Sequence, residues 1–274
     1  MNPVALFLLC TALVLQIDLS READKYCRKD SCPDAERNIG CGCGSQTKTS
    51  YGSQCAGKRP RKVTIDSRLK SLILREHNTR RNSIACGLVI PHQPAAGMPE
   101  VLWDNELQHL AWCNARRCVY GHDRCRSTSK FEWPGQNIAS KTICGKAAPL
   151  KPEEVITASI NVWFLEHQNT TPAMIDSFPG KVDGGPIGHF TVMVNDQVER
   201  IGCSLVVYNV QRAGFTSPCP THYLVCNYSA SNFLQEPSYV KSDTPAEKCR
   251  SRSKQYSCLC GSNTAKTNKQ KPNR

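Results

Sequence analysis

The chain has 274 residues, enough for one generous domain or two small ones. Its 17 cysteines and net charge of +12, with a sequence pI near 9.0, point to a disulfide-bonded protein with a basic surface. Zinc knuckles are disfavoured, because Cys41-Gly-Cys43 and Cys258-Leu-Cys260 leave one intervening residue where such sites use two to four.

Residues 1–20 read as a signal peptide. The apolar run Val4 to Leu15 has signal length and is too short to span a bilayer. The segment before it carries no Lys or Arg, and Asp18 ahead of the small Ser20 leaves the cleavage site approximate. No later segment is long and apolar enough for a transmembrane anchor, so a secreted, extracellular protein is expected. Cys10 falls within the leader, and the even set that remains allows eight disulfides in an oxidising compartment.

Residues 21–60 are rich in Cys, Gly and Ser without apolar periodicity, a cysteine-rich N-terminal extension lacking its own core. At its end "GKRPRK" places Lys58, Arg59, Arg61 and Lys62 in one basic patch. The proline after Lys58-Arg59 disfavours proteolytic processing there. In a secreted protein such a patch attracts sulfated glycans or anionic lipid head groups, and no nucleic-acid partner is expected.

From 61 to 240 the pattern is that of a folded domain. Ile65, Leu69, Leu72 and Ile73 fall on one face of a first helix. Leu107, Leu110 and Ala111 mark a second, with Asp104 as its N-cap. Pro152, Glu153 and Glu154 open a third, whose stripe is Ile156, Ile160, Trp163 and Phe164. "HFTVMVN", "IGCSLVVY" and "HYLVCNY" then alternate as strands, which puts His189 on a solvent-facing side. Helices followed by a mostly antiparallel sheet define an α+β domain. Residues 241–274 form a basic tail with three cysteines, partly disordered, ending in a polar stretch.

The motifs, in order, are "REHNTRR", "LWDNELQHLA", "CVYGHDRC", "GQNIA", "WFLEH", "GHFTVMV…IGC" and "YLVCNYS". With them the chain resembles the CAP superfamily of cysteine-rich secretory, antigen 5 and pathogenesis-related proteins, and looks closest to its insect antigen 5 branch. The match covers about Arg61 to Phe233, with the upstream cysteine pattern extending it. Two departures stand out: Val192 and Asn195 where the family's "GHFTQ…W" signature differs, and "SASNF" where a second signature continues with Gly-Pro.

The resemblance implies a three-layer α-β-α sandwich with a central cleft. It also implies a tetrad there of two histidines and two acids, here His122, Gln136, Glu166 and His189. Gln136 replaces one acid, as in the antigen 5 branch, and cannot take a proton or supply charge. The resemblance then implies that His122 and His189 are a two-histidine site, either a relic or a cleft that holds zinc only weakly, and no cofactor is required. The resemblance further implies the disulfides Cys27–Cys41, Cys32–Cys125, Cys55–Cys118 and Cys203–Cys226. Pairing of the other eight mature cysteines stays open. The vertebrate relatives' C-terminal channel-acting module is absent, with only three cysteines after Phe233.

No nucleophile motif surrounds Ser204 or Ser229, and oxidised cysteines are not nucleophiles. The expectation is therefore a monomeric, non-enzymatic binding protein of saliva, venom or reproductive fluid, taking an extracellular lipid, sterol or protein partner. A zinc-dependent hydrolase using the two-histidine cleft is the alternative, and glycan docking by the basic clusters is a third. Of two sequons, Asn169 lies in a polar loop and is the expected glycosylation site; Asn227 lies in a strand and is not.

Overall fold

The computed structural model describes residues 25–33, 36–44, 50–145 and 149–261. The apolar leader and the terminal polar stretch from residue 262 lie outside them. In chain order the elements are β1 (Arg61–Val63), α1 (Ser67–Ala85), β2 (Leu102–Trp103), α2 (Asn105–Ala115) and β3 (Gly135–Thr142). They continue with α3 (Pro152–Leu165), α4 (Pro172–Asp176), α5 (Gly188–Met193), β4 (Arg200–Val210) and β5 (Cys219–Tyr228).

Local chemistry starts each long helix. The Asp66 carboxylate accepts the Leu69 N–H at 2.9 Å, and Asp104 accepts those of Glu106 and Leu107 at 2.8 and 2.9 Å. Helix α3 opens on Pro152, and Glu154 reaches back to the Lys151 N–H at 2.8 Å. Helix α1 ends at Cys86, followed by Gly87 with φ +72, a backbone region that glycine enters without Cβ cost.

The sheet runs β1-β4-β5-β3 with every neighbour antiparallel, and β2 adds a short parallel pairing to β4. On one face α1 and α3 cover Val63, Leu205, Leu224 and Val207, with Trp163, Ile156 and Ile160 among the buried side chains. On the other, α2 lays Ala111, Trp112 and Ala115 against Val206, Tyr208, Tyr223 and Val225. Burial of each large apolar side chain stabilises by about 1.5–3 kcal/mol. The protein is thus a three-layer α-β-α sandwich. Helix and strand meet most closely at Gly202, where a Cβ would lie 2.1 Å from the Gln108 nitrogen, so only glycine fits.

Cys43 and Cys55 of the N-terminal extension pack under Trp112, so that segment shares the α2 layer. At the other end Tyr256 and Leu259 are buried with Ile84, Met98, Phe190 and Tyr239. The described part of the C-terminal segment therefore packs onto the domain despite its polar composition. Among the described residues eight disulfides form, four of which tie these additions to the domain. Cys27–Cys41, Cys32–Cys125, Cys55–Cys118 and Cys203–Cys226 are joined, as are Cys43–Cys113, Cys86–Cys258, Cys144–Cys219 and Cys249–Cys260.

One element differs from the sequence reading. "HFTVMV" is not a strand but belongs to the short helix α5, and His189 is half-buried there rather than solvent-facing on a sheet. Phe190, Thr191, Val192, Met193 and Val194 are all buried, so the alternation of residue types did not mark an inside and an outside. Beneath α5 the fully buried Arg81 donates to the carbonyls of Met193, Asn195, Val198 and Pro99 at 2.7–3.2 Å. Burial lowers its pKa to about 9, and Asp196 opposes that shift. The guanidinium remains charged at neutral pH and ties α1 to the turn after α5. Among the described residues no helix is long and apolar enough to cross a membrane.

Candidate functional site

A cleft of about 500 Å³ opens beside α5. His122, Gln136 and His189 line it together with Asn232, Lys181 and the backbone from Gly185 to Gly188. Glu166 stands behind this wall, 6 % exposed, at the end of α3.

Glu166 is fully engaged. One oxygen accepts the His189 Nδ1–H at 2.5 Å. The other accepts the backbone N–H groups of His189 and Phe190 at 2.8 and 3.1 Å. It therefore caps α5 from 23 residues away in sequence and fixes the His189 tautomer, with Nδ1 protonated and Nε2 bearing the lone pair. Trp163 stacks on the ring, centroids 6.0 Å apart, and Asn137 donates to the His189 carbonyl.

His122 is held by a parallel device. The Asp123 carboxylate, 7 % exposed, accepts from Gln136 Nε2 at 2.7 Å and from Asn114 at 2.7 Å. Arg126 pairs with its other oxygen at 2.7 Å. A carboxylate only accepts, so the Gln136 amide must turn its nitrogen toward Asp123 and its oxygen toward His122. Asn227, whose amide donates to Leu107, accepts from the same nitrogen. Gln136 Oε1 then accepts the His122 Nδ1–H at 2.8 Å. Burial lowers the His122 pKa, and the Arg126 and His189 charges add to that; the Gln136 bond and Asp123 oppose it. Burial thus favours the neutral form of His122, and each ring turns its Nδ1–H to an oxygen partner, leaving Nε2 as the atom that faces the cleft.

A third acceptor joins them. Asn232 donates to the Gly188 carbonyl and to Thr191, which fixes its amide, and its buried Oδ1 has no partner among the described residues. The residues that composition and spacing did not single out here are Asp123, Asn137, Asn227, Asn232 and Trp163. Asp123 carried a signal as the acid adjoining His122 in "YGHD", and Trp163 one as a member of the apolar stripe of α3.

The donor set fits zinc only in part. Two imidazole Nε2 atoms are available, whereas catalytic zinc sites use three protein ligands and both Glu166 oxygens are committed elsewhere. Cys43, His109 and Cys113 also lie within 4.8 Å of one another. Cys43 and Cys113 are joined as a disulfide, however, and present no thiolate to a metal.

The remaining expected sites lie elsewhere. Lys58 sits 5.5 Å over the Tyr208 ring and Lys62 4.5 Å over Trp112, while Arg59 and Arg61 are exposed. The basic patch is thereby divided between two faces of the sheet edge. Asn169 is partly exposed and donates to the Pro186 carbonyl, whereas Asn227 is fully buried.

A disulfide-bonded α-β-α sandwich with a paired-histidine cleft defines a class of protein, and sequence comparison gives it a family. Residues 74–228 match the CAP, cysteine-rich secretory protein family model, and the chain belongs to that family. It is 37 % identical over 235 residues to venom allergen-1 of Aedes aegypti, covering 86 % of each chain. It is 33 % identical to venom allergen 5 of Polistes dominula, covering 85 % of this chain and 97 % of that one. Among solved structures, NaASP2 with Zn2+ matches with a TM-score of 0.57 at 23 % identity, over 71 % of this chain and 96 % of that one.

Proposed function

We propose that this is a secreted, non-catalytic binding protein of the antigen 5 type, whose cleft takes an amphipathic lipid bearing a hydroxyl group, a sterol being the simplest example. The observation that carries this reading is the state of the cleft's polar atoms. His122 Nε2, His189 Nε2 and Asn232 Oδ1 are acceptors facing the cleft, and among the described residues no carboxylate lines it. Phe178, Val182, Pro186 and Ile187 supply apolar wall beside them, and the volume falls in the range of small-molecule sites. Relatives named as venom allergens support delivery in a venom-like secretion.

The test is binding of a fluorescent sterol to the purified secreted protein and to Gly188→Trp. A Cβ at Gly188 meets open space beside the cleft, so the larger side chain fills it without displacing backbone. Saturable binding lost in the variant supports the reading. Equal binding by both proteins, or a hydrolytic activity abolished by a chelator and by His122→Ala/His189→Ala, overturns it. The second outcome would favour the zinc-dependent alternative, for which the two available Nε2 atoms are the supporting observation.

A further inference from the structure

The end of the sheet remote from the cleft carries a row of basic groups. Register alignment places Arg61 of β1 opposite Val207 of β4, Val207 opposite His222 of β5, and His222 opposite Lys141 of β3. Residues directly opposite across a sheet project from the same face, so Arg61, His222 and Lys141 share one surface. Three strand intervals separate the outer two, about 14 Å at the usual spacing. Arg61 and Lys141 are exposed, and among the described residues no carboxylate pairs with either.

The middle member supplies an independent observation. His222 is 5 % exposed, and its Nδ1 is buried with no hydrogen-bond partner among the described residues. Its ring also bonds to the Lys141 backbone, so a neutral His222 donates there and keeps an unused lone pair on Nδ1. Burial and the nearby Arg61 charge both favour that neutral form. An anion seated between Arg61 and Lys141 reverses the electrostatic part of that balance, because it offsets the cations beside the buried ring. The charged groups of the row facing His222 are Arg61 from β1 and Lys141 from β3; β4 contributes only Val207.

We propose that this row, continued along the sheet edge by Arg59, is a docking site for a sulfated polysaccharide. The linear spread of cations suits successive sulfates on a polymer better than one small anion. An anionic membrane is the poorer match, because Val207, the apolar residue of the row, is 7 % exposed and leaves nothing to insert. The site is independent of the cleft and of any ligand there.

The experiment is heparin binding by the full secreted chain, measured at pH 7.5 and 5.5. Arg61→Ala/Lys141→Ala is compared with Arg250→Ala/Lys254→Ala, which removes the same charge from exposed positions in the C-terminal segment. The row variant is expected to lose about tenfold in affinity and the control less than about threefold. Wild-type affinity is expected to rise at pH 5.5, and His222→Gln, verified as folded by circular dichroism, to abolish that rise. Equal losses in the two charge variants, a wild-type affinity indifferent to pH, or binding to phosphatidylserine vesicles without binding to heparin overturns the proposal.

Discussion

Replacing Glu166 by Gln tests the central device of the cleft with a change of one atom. The carboxylate accepts three hydrogen bonds, from the His189 ring and from the His189 and Phe190 backbone. An amide has one acceptor oxygen. Turned toward the two backbone N–H groups, it presents its NH2 to His189 Nδ1, which must then give up its proton and become the acceptor. The ring switches to the Nε2–H tautomer, and the cleft loses one acceptor. The energetic cost follows from the same geometry. Hydrogen bonds to a charged group contribute about 1.5–3 kcal/mol and roughly half that when neutral. Loss of charge assistance across this buried set therefore destabilises by about 2–3 kcal/mol. Urea unfolding with the disulfides intact measures the stability, and imidazole 15N chemical shifts report the tautomer. An unfolding free energy within about 0.5 kcal/mol of wild type, together with an unchanged Nδ1–H tautomer, would refute the assignment of Glu166 as both cap and orienting group.

Other consequences can be measured separately. His77 is fully buried between the Ile73 carbonyl and the Tyr228 hydroxyl, and burial lowers its pKa to about 4. The unfolded chain takes up that proton first, so stability should be complete above about pH 6.5 and fall by about 3 kcal/mol toward pH 4. Urea titrations across this window should show the fall, and His77→Gln should flatten it. Gly202→Ala should destabilise by about 3 kcal/mol or more and sharply reduce secreted yield, because the added Cβ meets the α2 backbone rather than a movable side chain. Removing the Cys86–Cys258 bridge with two serines opens a loop of 172 residues, worth about 5 kcal/mol in the chain-entropy model. Limited proteolysis should then cut within residues 241–261 at protease levels that leave wild type intact. Peptide mapping should find glycan on Asn169 and none on Asn227, whose amide is buried against Leu107.

The helices were legible because their signals are local. Asp104 caps α2, Pro152 and Glu154 open α3, and the stripe Ile156, Ile160 and Trp163 is buried as its spacing implies. Strands β4 and β5 were equally plain. Helix α5 was not, because what begins it is a carboxylate from the end of α3, and no pattern within "HFTVMV" contains that cap. The same limit applied to the cleft. Resemblance brought His122, Gln136, Glu166 and His189 to attention, but the roles of Asp123, Asn227 and Asn232 depend on which amide atom faces which neighbour. The row Arg61–His222–Lys141 is a matter of register across the four strands β1, β4, β5 and β3, which composition cannot supply.

The bridge from Cys86 to Cys258 also sets a condition on biosynthesis. In a secreted chain the thiol at the end of α1 would enter the oxidising lumen long before its partner is made, since 172 residues of chain separate them. At about 5–20 residues per second, translation leaves that cysteine waiting for roughly 10–30 s. Cys43 and Cys55 precede it in the chain, Cys113 and Cys118 follow within that interval, and all four can compete for it. Reaching the native set would then require thiol–disulfide exchange that releases wrong partners as the C-terminal segment docks. Efficient secretion of this protein should depend on disulfide isomerase activity in the host cell, and a chain cut short before Cys258 should be retained with Cys86 mispaired.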